Sequence, residues 1–227
     1  MATNTTLAQP RTIISQRAAR LSMAATLLFL VLLLALHIIE PQFAPSWRMV
    51  SEYATGSYGW VMTLAFLSMA CACVTLFIAM RPQIVTRAGK IGLGFLVAAA
   101  VGLALAAFSP IDPITAPPGA GTVHGMLHGV ATIIGLPSLP IAAMLISRSL
   151  LRSPAWERAK RGLLITAHAT WVSLAVMIAL LAFQLPQVPC FGTISRFAGK
   201  ALHRLQLRPA RSRRQWRYQA LRGRARS

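Results

Sequence analysis

Five long apolar runs, separated by short polar segments, organise the chain. The first extends from Leu21 to about Ile39, and the others cover about 59–80, 90–109, 124–147 and 161–184. Each approaches the roughly 20 residues that a helix rising 1.5 Å per residue needs to cross a hydrocarbon core. The pattern predicts an all-α, polytopic transmembrane helix bundle. A secretory signal peptide is the rival reading of the first run. That run is longer than a signal core, and "HIIEPQF" after it offers no small-x-small cleavage site, so it reads as an uncleaved span. The chain therefore divides into a basic N-terminus over 1–20, a helical bundle over 21–187 and an Arg-rich C-terminal tail over 188–227.

Two runs carry internal features. Gly94, Ala98, Gly102 and Ala106 place a small residue at every fourth position of the third run, a stripe on which another helix can approach closely. Gly135, Pro137 and Pro140 predict a kink or break in the fourth run near mid-membrane. At its start, Thr122 is positioned to cap the helix.

Composition agrees with this class, since hydrophobic residues make up 56% of the chain and charged residues 12%. Charge then sets orientation. The four acids are Glu40, Glu52, Asp112 and Glu157, and neither they nor the 23 Lys and Arg interrupt a run. The N-terminus holds Arg11, Arg17 and Arg20; segment 81–90 holds Arg81, Arg87 and Lys90; segment 148–161 holds Arg148, Arg152, Arg158, Lys160 and Arg161. Segments 40–58 and 110–123 carry only Arg48 among them, against three acids. The positive-inside bias predicts a multi-pass protein of the cytoplasmic membrane with its N-terminus inside and both acidic segments outside. The net charge of +19 lies in loops and tails. It points to the bilayer and its anionic headgroups as partners, with no nucleic acid expected. Cys71, Cys73 and Cys190 form no CxxC pair, so neither a zinc finger nor a disulfide framework is indicated.

Candidate chemistry gathers at the predicted outer boundary, where His37, Glu40, Glu52, Asp112, His124 and His128 come from three chain regions. His124 and His128 stand one helical turn apart and share a face, as two imidazoles on one metal require. With Asp112 or Glu52 they would form a two-histidine, one-carboxylate set with an open position. Such a set suits zinc and the activation of a water for hydrolysis. The bland alternative is that these groups are caps and interfacial anchors: Asp112-Pro113 is a good turn starter. Ser51 lacks a nucleophile elbow, because no Gly-x-Ser-x-Gly surrounds it. His168 lies eight residues into the fifth run; an ionisable residue at that depth is a functional candidate by default, and the alternative is a neutral histidine hydrogen-bonded to a neighbouring helix. Three classes stay open: a metal-dependent hydrolase, a proton- or ion-coupled transporter, and a non-catalytic scaffold.

The stretches "SEYATGSYGWVMTLAFLSMA" (51–70) and "FSPIDPITAPPGAGTVHGMLHG" (108–129), with their spacing, resemble a bacterial and archaeal membrane family catalogued as domain of unknown function 998. The resemblance covers about residues 22–185 and rests on Ser51, Glu52, Tyr53, Gly56, Gly59, Asp112, Pro113 and His124. It implies a six-helix bundle and no established activity. This chain departs from it after about residue 188, where eleven Lys and Arg without an acid replace a sixth span. Two origins stay open for that tail, native sequence or a change of reading frame. Ile194, Phe197, Ala198, Ala201, Leu202 and Leu205 predict an amphipathic helix near 193–207, followed by disorder. A missing sixth span also predicts an open apolar groove on the bundle.

Overall fold

The computed structural model describes residues 10–43, 48–117 and 119–184. Five helices make up the bundle: α1 (Pro10–Ile39), α2 (Gly59–Met80), α3 (Arg87–Phe108), α4 (Val123–Leu150) and α5 (Lys160–Gln184). All five are long and apolar enough to cross a membrane, so this is a multi-pass membrane protein embedded in lipid. The predicted tail helix and its disordered end lie outside the described residues.

The helix ends fall where local chemistry puts them. Thr122 caps α4, its Oγ1 accepting from Gly125 N at 3.0 Å, and Thr86 does the same for α3 from Gly89 N at 3.0 Å. Pro41 follows Glu40 directly and stops α1, since a residue before proline is pushed out of the helical region. At its other end α1 starts eleven residues before the predicted span, at Pro10. Nothing between Pro10 and Leu21 breaks a helix, so the described part of the basic segment is helical and continuous with the span. Ser15 and Ser22 then tie α1 to α2, donating to the carbonyls of Ala79 (2.7 Å) and Ala72 (2.9 Å).

Neighbours in sequence pack as neighbours in space, α3 on α4 most extensively and α4 on α5 least. One core lies between α2, α3 and α4, around Cys73, Leu93, Leu96, Ala99, Ala142 and Ile146. A second lies at the opposite end of α2, around Leu36, Tyr53, Met62 and Ala65. The predicted small-residue stripe is only half correct. Gly102 and Ala106 are buried, and a Cβ on Gly102 would come within 2.8 Å of the Ala131 carbonyl oxygen and the Gly135 Cα. Gly94 meets nothing, and Gly92 takes its place against Leu145 and Ile146. The reason is geometric: four residues exceed one 3.6-residue turn, so a stripe of fours drifts around the helix and leaves the interface.

Of the kink or break predicted in α4, the break does not occur. The helix runs without interruption through Pro137 and Pro140. Near them the Ser138 hydroxyl donates to the Ile134 carbonyl at 2.6 Å, and α4 approaches α3 closely at Gly135 and Gly102.

α5 rests on the bundle by a narrow edge, with Ala167 its one buried residue among the described side chains. Its outer side carries an open, mostly apolar groove lined by Leu164, Ile165, His168, Ala169, Val172 and Ser173.

Candidate functional site

The segment between α1 and α2 and the segment between α3 and α4 meet at one end of the bundle, and Glu52 joins them. Glu52 sits in a 3-10 turn, Val50–Thr55, with its side chain fully buried. One carboxylate oxygen accepts from Ile114 N at 2.7 Å and from Arg48 Nη1 at 3.2 Å; the other accepts from Met49 N at 3.3 Å. Both oxygens are thus engaged by protein donors, and the carboxylate clasps the two segments together. The basic end of the bundle is closed in a parallel way by uncharged groups. There Thr86 Oγ1 donates to Ser149 Oγ at 2.7 Å, and Trp156 Nε1 donates to Gln83 Oε1 at 3.2 Å.

Asp112 serves the N-terminus of α4. Its oxygens accept from Thr122 N (2.9 Å) and Thr122 Oγ1 (2.7 Å), so it orients the residue that caps the helix. Its carboxylate lies where a Cβ on residue 125 would fall, so a larger residue there would displace Asp112 from Thr122. His124, in the first turn of α4, is exposed. His128, one turn further in, is buried, and its Nδ1 is 2.7 Å from the Ser109 carbonyl oxygen. A carbonyl only accepts, so Nδ1 carries the proton and donates. The His128 ring also packs against Phe66, with centroids 6.1 Å apart.

The predicted metal set is therefore not assembled here. Glu52 is enclosed in its clasp, Asp112 is turned onto the α4 N-terminus, His128 is tied to Ser109, and His124 is exposed. No three His, Cys, Asp or Glu side chains among the described residues are grouped to hold a metal ion. Correct spacing on one helix puts two imidazoles on one face but cannot bring a carboxylate to them. Ser51 is half-buried in the turn beside Glu52. His168 belongs to a different part of the molecule. It lies on the open side of α5, its Nδ1 donating to the Leu164 carbonyl at 2.7 Å.

What the structure does assemble is a cluster around Glu40, a residue of the acidic boundary that the metal set passed over. Glu40 continues the last turn of α1, its N–H bonded to the Leu36 carbonyl at 3.0 Å, and it is 1% exposed. One carboxylate oxygen, Oε1, accepts from Tyr58 N at 2.9 Å, at the N-terminus of α2. Oε2 is buried and has no hydrogen-bond partner among the described residues. The carboxylate presses on Gly56, where a Cβ would overlap it. Gly56 has an ordinary φ of −82°, so close approach and not backbone conformation requires glycine there. His37, three residues before Glu40, lies on the same side of α1. Its ring packs against that of Tyr53 at 5.2 Å, and its Nδ1 donates to the Leu33 carbonyl at 2.7 Å. The Tyr53 hydroxyl donates to the Phe43 carbonyl at 3.0 Å. Burial, and then the neighbouring Glu40 charge, push the Tyr53 phenol above its usual pKa. The sequence signal for this cluster was a carboxylate directly before a proline at a span end, which by itself says only that a helix stops.

The fold and this site define a helical membrane protein, with five spans among the described residues and carboxylate-bonded loops at one end. A model of the family described as protein of unknown function (DUF998) matches residues 23–202, and the chain belongs to that family. The match reaches further than the resemblance predicted, into the basic tail. No curated protein and no solved structure matches the chain. Glu52, Tyr53, Gly56, Gly59, Asp112 and His124, on which the resemblance rests, all lie at this end of the bundle.

Proposed function

We propose that this membrane protein binds a small ligand at the carboxylate end of its bundle, on the external side of the cytoplasmic membrane, with Glu40 as the group that meets the ligand. One observation carries the reading. Glu52 and Asp112 spend both of their oxygens on protein donors, whereas Glu40, as buried as Glu52, keeps one oxygen unengaged. A buried carboxylate oxygen without a partner is costly, and such exceptions concentrate where a protein handles something other than itself. His37 and Tyr53 give the same place an imidazole and an aromatic face. The external location follows from the basic residues of the opposite end, Arg81, Arg87, Lys90, Arg148 and Arg152. These would lie against anionic headgroups of the inner leaflet.

Selective carboxyl labelling tests this reading. A hydrophobic carbodiimide applied to the purified protein, followed by peptide mass mapping, should modify Glu40 well ahead of Glu52. Equal labelling of the two, or labelling of Glu52 alone, would remove the distinction on which the proposal stands.

A further inference from the structure

We infer that Glu40 binds a sodium ion, an assignment that rests on the reading of Glu40 as the ligand-facing group. Its carboxylate is buried and ion-paired with no Lys or Arg among the described residues. The bond from Tyr58 N fixes Oε1, and with it the position of Oε2 against Gly56. The turn around Gly56 supplies further oxygen. The Tyr53 carbonyl accepts from Gly56 N (3.2 Å) and the Gly56 carbonyl from Gly59 N (3.1 Å), and a carbonyl oxygen carries two lone pairs. One carboxylate with backbone carbonyls is an oxygen set, which selects a hard cation over a softer transition metal.

Charge and space narrow the class. A divalent ion draws on several carboxylates or keeps a large water shell. Here one unengaged acid is available, and the described residues hold no group of three acidic, His or Cys side chains. The close approach of Gly56 to the carboxylate disfavours an alkylammonium. The positive end of α2 faces the same carboxylate and opposes a cation, so affinity should be weak, in about the millimolar range.

The test is a thermal melt of the full chain in detergent, followed by tryptophan fluorescence. Sodium chloride is exchanged for N-methylglucamine chloride at constant ionic strength, with potassium and ammonium chloride as further arms. Sodium should raise the midpoint progressively. Glu40→Gln should weaken the response by about tenfold or more, as loss of a direct anionic ligand does. Glu157→Gln, at the opposite end, should leave the response intact. An equal rise in N-methylglucamine, or a sodium response that survives in Glu40→Gln, overturns the assignment. A rise with ammonium but not with sodium overturns the ion and keeps Glu40 as the site, whereas failure of Glu40 to label with carbodiimide removes the site itself. Should Glu40→Gln not fold, binding of radioactive sodium to the unsubstituted protein decides. Binding measured at equilibrium that unlabelled sodium displaces supports the assignment, and the absence of saturable binding refutes it.

Discussion

Replacing Glu52 by alanine should loosen the carboxylate end of the bundle, and the structure sets the size of the effect. The substitution removes the acceptor of three donors: Ile114 N at 2.7 Å, Arg48 Nη1 at 3.2 Å and Met49 N at 3.3 Å. Leaving a buried donor unpaired costs about 1–3 kcal/mol, and breaking a buried ion pair about 3–5 kcal/mol. The three losses share one carboxylate and are not additive. The Arg48 side chain is 19% exposed and also lies over the Phe43 ring, 5.4 Å from its centroid, so it partly recovers elsewhere. The net loss should be about 3–4 kcal/mol, which for a chain of this size lowers the melting midpoint by about 6–16 °C. Glu52→Gln keeps one acceptor for Ile114 N and should lose roughly half as much. Scanning fluorimetry of the purified protein measures the midpoint. Amide hydrogen exchange in peptides covering 109–122 reports the clasp itself, because the Ile114 amide should lose protection in Glu52→Ala. A midpoint within about 1 °C of the unsubstituted protein, with Ile114 still protected, would refute the clasp.

Three further outcomes are expected. The Tyr53 phenol has its pKa raised in the folded state, so its contribution to stability is complete below about pH 10 and is lost as pH rises through the folded value. Alkaline titration of tyrosinate absorbance should show one late component, which Tyr53→Phe removes; a titration unchanged by that substitution contradicts the assignment. Gly102→Leu should cost at least about 1–3 kcal/mol, because its Cβ meets α4 backbone at 2.8 Å, while Gly94→Leu should change the midpoint little. Equal effects at the two positions would mean that the α3–α4 interface is misplaced. Reporter fusions after residues 85 and 155 should read cytoplasmic and those after 48 and 116 external, and an external signal at 155 would reverse the assigned orientation.

The sequence by itself determined the class and the spans. A bilayer imposes a length and an apolar composition on each crossing segment, and both are local properties. For that reason α2 through α5 begin and end within about three residues of their predicted limits, and Thr122 is legible as a cap from its position alone. It also brought the acidic segments to one end, since alternate loops of an up-and-down bundle must share a side. Tertiary structure decided the rest. Which face of α3 is buried depended on rotation about its axis, which a repeat of fours does not fix. Most of all, the four site residues His124, His128, Asp112 and Glu52 were chosen by residue type and spacing, whereas a carboxylate's role is set by the donors that reach it. Those donors are mostly backbone N–H groups at Met49, Tyr58, Ile114 and Thr122. Every residue except proline carries one, so sequence cannot mark which will be aimed at an acid. Their placement satisfies Glu52 and Asp112 and leaves Glu40 with an oxygen to spare.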